Sequence, residues 1–197
     1  EITIVTGVQT CALPICVALE HGGLFFPEGG WVHPPALCEW QARHPLINVL
    51  THHEALELQR VDGQWHALAG DTLLASAPVV VLAGAAEIKR FPFSAELPLK
   101  RIRGQITRLA QTPDSQALAT VVCAEGYVAP ARLGEHTLGA SFDFKRDDLA
   151  PTVAEHVGNL EMLREISVDL AHRLGADALA ADQLEGRSEE HTSELQS

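Results

Sequence analysis

The stretch GLFFPEGGWVHPPAL, residues 23–37, begins as an apolar run and continues into turn-forming residues and a helix start. Residues 24–26 predict a β-strand, and the glycines after them predict a turn. Pro34 and Pro35 open a helix that Pro45 stops, because the N–H that proline lacks would have no partner in a helix's first turn. Strand, turn and helix in this order indicate a chain of mixed α and β structure.

A series of short strands is predicted downstream of this helix. Residues 48–51, 55–60 and 65–68 have strand composition, with turn signals at Asp62-Gly63 and Gly70-Asp71. Residues 79–82 are Val-Val-Val-Leu, a continuously apolar run typical of a strand that is covered on both faces. We therefore expect a meander that leads into a buried strand.

The second half of the chain predicts further strands around residues 99–109, 120–130 and 137–144, with Gly126 and Gly139 at bends or close backbone approaches. From residue 152 the apolar period becomes helical, and Thr152 and Glu155 have the spacing of a capping box. Gly175 is the expected end of the helix. The predicted fold class is α/β, in the form of an α+β fragment.

The two ends of the chain are related to each other at the level of DNA. With permitted codons, the reverse complement of a sequence encoding residues 187–197 encodes residues 5–15. Protein termini have no physical reason to be antisense partners, and the DNA string resembles a common sequencing-library adapter. We therefore expect residues 1–15 and 187–197 to be non-native, like an expression tag. We also expect them to pack poorly or to adopt structure unrelated to the rest.

Charge gives no support to a nucleic-acid surface in this segment. The formal net charge is −12, and it becomes −9 when four glutamates and one arginine in the two excluded ends are left out. An acidic surface repels phosphate backbones. The one basic cluster is typical of a solvated face, with an RNA site as the alternative; it consists of Lys100, Arg101, Arg103 and Arg108.

Cysteine usage and hydropathy favour a reduced cytoplasmic location. Cys16, Cys38 and Cys123 are an odd, scattered set between the two ends, unlike a disulfide framework. No apolar run reaches the ~20 residues that a membrane-spanning helix needs, so no membrane partner is expected.

The sequence lacks the motifs of a metal site and of a catalytic nucleophile. A zinc-protease HExxH motif beginning at His53-Glu54 would need a histidine at position 57, where the chain has Glu57. His52 and His53 would face opposite sides of a strand, so they would not bind one metal ion together. No metal is therefore predicted. The segment around Ser141 lacks the second glycine of a nucleophile elbow. No GxGxxG motif occurs, and no catalytic residue can be assigned from the residues alone.

The order of several weak motifs is more informative than any one of them. GLFFPEGGWVHPPAL, VVVLAG at 79–84, RGQI at 103–106, EGYVAP at 125–130 and LGASF at 138–142 together resemble the amino-acid-oxidase-type FAD-dependent oxidoreductase superfamily. Within it, the combination is most similar to the oxidoreductase half of bifunctional enzymes of tRNA 5-methylaminomethyl-2-thiouridine biosynthesis. The resemblance covers nearly all of residues 16–186.

This resemblance implies a function and its cofactors. In that family an FAD half removes the carboxymethyl group from carboxymethylaminomethyl-uridine at the tRNA wobble position. A separate methyltransferase half, expected to be absent here, uses S-adenosylmethionine. The chemistry is C–N oxidation, in which the flavin accepts a hydride and the protein positions the substrate. A small-molecule amine or amino-acid oxidase of the same superfamily is the alternative function, and a non-enzymatic binding module is a third class.

The resemblance also implies site residues. Ala83 and Gly84 match small residues beside the cofactor, and Ala55 matches a strand whose backbone faces the adenine; the alternative is that these residues pack a tight turn. Tyr127 matches a tyrosine that contacts the substrate carboxylate, the alternative being a sheet tyrosine with its hydroxyl at the surface. Gln105, after Gly104, is a further substrate-binding candidate on a strand that returns toward the flavin.

Domain organisation follows from the same resemblance. We expect a substrate-domain strand in residues 16–30, part of the FAD-binding domain in 31–92 and part of an antiparallel substrate domain in 93–186. The phosphate-cradling glycine loop and the carboxylate-binding arginine of the family are expected outside these ranges. The 197-residue chain by itself is therefore expected to be inactive, and its oligomeric state is not predicted.

Overall fold

The computed structural model describes residues 3–5, 16–146 and 148–193. The chain divides into two compact units, of which the larger comprises Glu1–Trp31 and Arg101–His191, and the smaller Val32–Lys100 and Thr192–Ser197. The described strands are β1 (Thr3–Val5), β2 (Gly23–Phe25), β3 (Glu57–Val61), β4 (Gln64–Ala69), β5 (Thr72–Ala77), β6 (Lys100–Ala110), β7 (Val122–Cys123), β8 (Tyr127–Val128), β9 (Glu135–Gly139) and β10 (Gly186–Ser193). The described α-helices are α1 (Pro34–Ala42), α2 (Val153–Ile166) and α3 (Val168–Arg173).

The smaller unit is built on the antiparallel meander β3-β4-β5. Asp62 and Gly63 both have positive φ, 50° and 79°, as a type I′ hairpin requires, which confirms the predicted turn. Gly70 has φ 61° in the next two-residue turn, also as predicted. The β5 strand was not predicted, because Thr72–Ala77 contains small residues and lacks a clear alternation.

Two predicted strands of the smaller unit are absent from the described part of the structure. Residues 48–51 form no strand, since Leu50 and its neighbours pair with no other described segment. Residues 79–82 are also non-regular, and Val79 and Val81 are 72% and 82% exposed. The prediction of a buried strand is wrong here, because no strand among the described residues lies beside this run to bond its backbone or cover its side chains. Two 3-10 helices, Ala85–Arg90 and Pro92–Ser94, follow it.

The larger unit contains a five-stranded sheet in the order β10-β6-β9-β8-β7, and β1 pairs with β2 in a separate sheet. Within the larger sheet β6 with β9, β9 with β8 and β8 with β7 are antiparallel. Among the described residues, Gln105 and Leu138 lie on strands of this sheet, whereas Val79 lies on no strand. The core lies between one face of this sheet and α2 and α3; it comprises Val17, Leu109, Leu118, Val122, Val128, Leu138, Leu160, Leu163, Ile166, Leu170, Ala171, Leu174 and Ala176.

The predicted long helix is divided at Ser167. The Ser167 backbone is extended, and its hydroxyl oxygen accepts the Leu170 N–H at 3.0 Å, which caps α3. The same hydroxyl donates to the Ala18 carbonyl at 2.7 Å. Gly175, with φ 67°, follows α3 as predicted.

Gly126 confirms the predicted close backbone approach. A Cβ at this position would lie 1.6 Å from Met162 Sδ and 2.7 Å from the Gly139 carbonyl oxygen. Only glycine therefore lets α2 pack against the turn before β8.

The C-terminal segment differs from the expectation. β10 runs beside β6, and Ser188 is buried with its hydroxyl oxygen 2.8 Å from Arg103 Nη2. The expectation of poor packing is thus wrong for the part of 187–197 that forms β10. Of residues 1–15 only β1 is described, and it pairs with β2. The remaining residues of both ends lie outside the described part of the chain.

Candidate functional site

A cavity of about 480 Å³ in the smaller unit brings together the three residues predicted to contact a cofactor. Ala55, which precedes β3, lies on one wall, and Ala83 and Gly84 lie on another. The remaining lining residues are mostly apolar: Leu58, Ala67, Val80, Val81, Leu82, Ile88 and Phe91, with Glu54, Glu87 and Arg90 at the rim. Residues that are distant in the chain thus line one cavity.

Local sequence explains how these walls form. β3 and β4 pair through the Asp62-Gly63 turn, so Leu58 and Ala67 face the cavity as cross-strand partners. Gly84 caps the 3-10 helix Ala85–Arg90, and a Cβ on Gly84 would only make ordinary contact with Ile88 at 3.5 Å. The 3-10 helix therefore begins directly after the small residues Ala83 and Gly84, which line the cavity wall.

Three charged side chains, Glu54, Glu87 and Arg90, form what we call the rim group. The Arg90 guanidinium donates to Glu54 Oε1 and, at 2.9 Å, to Glu87 Oε2. These hydrogen bonds, first the one to Glu54 and then the one to Glu87, raise the pKa of Arg90 above its ordinary value. The bond between Glu54 and Arg90 joins the segment that carries Ala55 to the 3-10 helix that follows Gly84.

The donor set of this cavity fits an uncharged aromatic ring better than a phosphate. Its walls are apolar side chains and the backbone of residues 80–84, and the one cation among its described lining residues, Arg90, is already bound by two carboxylates. Ala55, Ala83 and Gly84 add no side chain larger than a methyl group to the cavity. The residues present thus fit the ring portion of a nucleotide cofactor. Sequence reasoning missed the rim group, because no motif links Glu54 with a residue 36 positions later.

The other two predicted site residues, Tyr127 and Gln105, lie in the larger unit and on opposite faces of its sheet. Val128 pairs with Leu138, and Leu138 pairs with Thr107, so these three side chains share the face that packs on the helices. Gln105 is two residues from Thr107 and is on the same face, whereas Tyr127 is adjacent to Val128 and projects the other way. The two residues cannot line one substrate site.

Gln105 lies in the interior of the larger unit, and its predicted substrate-binding role stays a prediction. It is fully buried, its Oε1 accepts the Thr152 N–H at 2.7 Å and its Nε2 donates to the Thr152 carbonyl at 2.9 Å. Gln105 therefore supplies the capping bond that the predicted capping box assigned to Glu155. Tyr127 is half-buried on the face away from α2, where its predicted role stays a prediction.

A polar network surrounds Gln105 under α2. Arg103 forms a buried ion pair with Glu155, and the Glu155 carboxylate also accepts bonds from Ser141 and Thr152 at 2.7 Å each. Burial acts to raise the pKa of Glu155, but these hydrogen bonds, led by that from Arg103, hold it below its ordinary value. This network stabilises the unit rather than serving as an accessible catalytic group.

A second cavity, of about 340 Å³, lies in the larger unit between the β2 region and the edge strand β7. Phe25, Cys123 and Ile166 are among its lining residues, and burial raises the pKa of the Cys123 thiol. Within the described residues there is no cluster of three metal-ligating side chains, and none of the helices described there is long and apolar enough to cross a bilayer.

Comparison with known proteins identifies the protein family to which the chain belongs. The family model for FAD dependent oxidoreductases matches residues 9–181. The chain therefore belongs to the FAD dependent oxidoreductase family.

Individual relatives share high sequence identity with the chain. The chain is 77% identical over 172 residues to the tRNA 5-methylaminomethyl-2-thiouridine biosynthesis bifunctional protein MnmC of Pseudomonas fluorescens (strain Pf-5), covering 87% of this chain and 26% of that protein. With the same coverages it is 69% identical to MnmC of P. fluorescens (strain Pf0-1) and 68% identical to MnmC of Pseudomonas entomophila (strain L48). The chain thus spans about a quarter of the length of these curated relatives.

Solved structures show the same fold. Glycine oxidase from Geobacillus kaustophilus superposes with a TM-score of 0.72 at 16% identity, over 98% of this chain and 51% of that one. Glycine oxidase from Bacillus cereus gives a TM-score of 0.76 at 14% identity, over 98% and 53%. The predicted mixed α and β fold of the FAD-dependent oxidoreductase type is confirmed by these matches.

Proposed function

We propose that this chain is part of an FAD-dependent oxidoreductase that removes the carboxymethyl group from carboxymethylaminomethyl-uridine at the tRNA wobble position in the cytoplasm. The observation that carries the proposal is the cavity of the smaller unit, where Ala55, Ala83 and Gly84 meet. The identity of 77% to a tRNA 5-methylaminomethyl-2-thiouridine biosynthesis protein supports tRNA as the substrate. A methyltransferase half that uses S-adenosylmethionine belongs to the same proposal for the longer protein.

The residues divide the work as follows. Ala55, Ala83 and Gly84 hold the adenine end of FAD, and the apolar walls of the cavity supply nonpolar surface for its ring. When bound, the flavin supplies the two-electron oxidation of the substrate C–N bond. Tyr127, on the sheet face away from α2, orients the substrate carboxylate through its hydroxyl. Under this proposal the smaller unit is part of the FAD-binding domain and the larger unit is part of the substrate domain.

The test uses the full-length protein encoded by the longer reading frame. We expect it to purify with a flavin absorption spectrum and to remove the carboxymethyl group from tRNA of a strain that lacks the activity, measured by mass spectrometry of the digested nucleosides. Turnover of free glycine or sarcosine without any change in the tRNA would instead support a small-molecule oxidase. A colourless protein that takes up no FAD would support a binding module.

A paired substitution connects this test to the cavity. Gly84→Val should lower the flavin content of the full-length protein, because a branched side chain enters the space beside Ala83. Gly158→Val is the matched control, since Gly158 is exposed on α2 and a Cβ added there would have no atom within 4 Å. Equal flavin content in both variants would contradict the assignment of this cavity to FAD.

The status of the two ends is part of the same proposal. What supports a non-native origin for 1–15 and 187–197 is the antisense relation between residues 5–15 and 187–197. When the gene is amplified directly from genomic DNA and sequenced, its codons should differ from those that encode residues 1–15 and 187–197 here. FAD titration of the 197-residue chain should give no tight binding with a shifted flavin spectrum and no amine oxidation above background.

A further inference from the structure

Exposed aromatic side chains follow β9 in the larger unit. Phe142 and Phe144 are 63% and 55% exposed, although phenylalanine is among the residue types that are most often buried. Leu138, on β9 itself, is fully buried in the core under α2. The same strand and its continuation therefore place one apolar side chain in the core and leave two aromatic rings accessible.

Hydrogen bonds fix the face of the sheet on which Phe142 lies. The hydroxyl of Ser141 donates to Glu155 of α2 at 2.7 Å, so Ser141 lies on the side of this helix. Asp143 forms an antiparallel bridge with Arg103, whose side chain also points toward α2. Successive side chains of an extended segment alternate between the two faces, so Phe142 projects away from α2.

Tyr127 projects from this same face. It pairs with Gly139, and Phe142 lies three residues further along the chain than Gly139. Strand spacing and rise then put the Cα atoms of Tyr127 and Phe142 roughly 10 Å apart. Gly104, opposite Phe142 in the register of the bridge, and Gly139 add no side chain to the surface between them. The two aromatic residues thus border a shallow surface about as wide as one extended nucleoside.

Basic residues adjoin this surface in a chain that is acidic as a whole. The strand β6 carries four basic residues and no acidic one, whereas the chain has a formal net charge of −12. The antiparallel bridge between Arg103 and Asp143 brings the exposed Arg101 beside the exposed Lys145. Positive charge at this edge of the sheet is complementary to a phosphate backbone.

The acidic residues of this edge are bonded to their own neighbours. Asp143 Oδ1 accepts the backbone N–H of Lys145 at 2.7 Å and that of Arg146 at 3.2 Å. Asp148 accepts two bonds from the Arg146 guanidinium, at 2.6 and 2.8 Å. The Asp148 charge is therefore offset by Arg146, and Lys145 follows Phe144 as a cation.

We propose that Phe142 stacks on the base of the RNA nucleotide that is modified, and that Lys145 contacts the adjoining phosphate. The inference rests on the proposed function, in which Tyr127 orients the carboxylate at the end of the arm on that base. With the arm at Tyr127, the base of the same nucleotide reaches Phe142 across the surface between them. Phe144, two residues later, extends the apolar surface.

This arrangement selects an unpaired base. Proteins recognise single-stranded RNA loops by stacking splayed bases on aromatic rings, and any base offers a flat face for this contact. A base inside a duplex is stacked on its neighbours and cannot meet Phe142. A free amino acid has no ring to stack, so Phe142 also distinguishes an RNA substrate from a small amine.

The test measures binding of an anticodon stem-loop oligoribonucleotide with an unmodified wobble uridine to the flavin-loaded full-length protein, by fluorescence anisotropy. Phe142→Leu should weaken binding about tenfold, because one base–aromatic stack is lost. An oligoribonucleotide without a base at the wobble position should bind the parent protein about tenfold more weakly, and Phe142→Leu should then have no further effect. Tyr127→Phe should not alter binding of the unmodified loop, which carries no carboxylate.

Further variants separate stacking from folding and from charge. Phe142→Trp keeps a stacking ring and should bind as the parent does. Phe26→Leu is the matched control, because Phe26 is 55% exposed and follows β2, apart from this surface. Lys145→Gln should reduce the slope of log affinity against log salt by about 0.7, as expected for one phosphate contact with a single strand. Phe142→Leu should leave that slope unchanged.

Three outcomes overturn the inference: equal binding by Phe142→Leu and Phe26→Leu, a loss in Phe142→Leu that persists when the wobble base is absent, and no binding of the stem-loop by the flavin-loaded protein. The proposed function fails separately, by turnover of free glycine or sarcosine without any change in the tRNA. A protein that removes the carboxymethyl group, but whose Phe142→Leu variant binds the stem-loop as the parent does, keeps the proposed function and removes the stacking role.

Discussion

Replacement of Arg103 by methionine should be among the most destabilising single changes in the larger unit. Arg103 is only 1% exposed, and its guanidinium donates to the carbonyl oxygens of Asp148 at 2.7 Å and Ala150 at 2.6 Å. It also donates to Ser188 Oγ at 2.8 Å and forms the ion pair with Glu155. Methionine has similar length and no donor, so all of these acceptors lose their partner at once.

The magnitude follows from burial. Removal of one partner from a buried ion pair costs about 3–5 kcal/mol, because the other charge remains desolvated. Glu155 is 14% exposed and keeps its bonds from Ser141 and Thr152, which favours the lower end, about 3 kcal/mol. That is a large fraction of the ~5–15 kcal/mol by which a typical domain is stable.

Urea unfolding followed by far-UV circular dichroism measures the effect. The control is Arg108→Met on the same strand, where the side chain is 42% exposed and pairs with Glu135 and Glu185 at the surface. Such pairs contribute about 0–1 kcal/mol. If Arg103→Met costs no more than Arg108→Met, the buried network does not stabilise the unit and the reasoning is refuted.

The ion pair of Arg103 with Glu155 predicts that the stability of the larger unit depends on pH. The folded pKa of Glu155 lies below its ordinary value; burial opposes this shift, and the hydrogen bonds led by that from Arg103 cause it. Stability from this carboxylate is therefore fully present above the unfolded pKa and is lost as the pH falls through the folded pKa. Arg103→Met should lose less stability over that acidic range than the parent chain does.

Three further predictions concern glycines and a histidine. Gly126→Ala should destabilise the larger unit by about 1–3 kcal/mol in urea unfolding, and Met162→Ala should partly rescue it. Gly158→Ala is the control on open helix surface, and it should stabilise the unit by up to about 1 kcal/mol. Burial lowers the pKa of His156, so stability should fall as the pH drops below 6.5, and His156→Gln should abolish that slope. Gly63→Ala should cost the smaller unit about 1 kcal/mol in thermal unfolding followed by tryptophan fluorescence, because φ there is 79°; an unchanged midpoint would contradict the I′ turn.

Local signals account for the parts of the fold that the sequence predicted. The Asp62-Gly63 turn, the helix opening at Pro34 and the stop at Gly175 each depend on one backbone conformation that few residues tolerate. Such constraints act within a few residues and can therefore be recognised without a structure. The division of the long helix at Ser167 could not be recognised, because it depends on a bond to the carbonyl of Ala18, which is distant in sequence.

The candidate site was predictable only where a motif existed. Ala55, Ala83 and Gly84 were identified by resemblance, and the structure gathers them at one cavity. The burial of Gln105 and its bonds to Thr152 could not be predicted, because a strand position alone does not reveal which face a side chain occupies when the register is unknown. Arg90 carried no signal, since its importance arises from two carboxylates brought to it by the fold.

The strand β10 shows why a segment that the sequence predicts to be non-native can still pair in a sheet. Pairing at a sheet edge uses backbone N–H and C=O groups, which every residue except proline provides, and β6 presents such an edge opposite β9. The bond from Arg108 N to the Glu185 carbonyl, at 2.9 Å, already aligns the chain with β6 before Arg187 is reached. An extended, proline-free continuation then needs only one small polar residue to fit the buried position beside Arg103, and Ser188 meets that requirement. Regular pairing is therefore weak evidence that a terminal segment is native, and Ser188→Ala should destabilise the larger unit less than Arg103→Met does, since it leaves the ion pair with Glu155 in place.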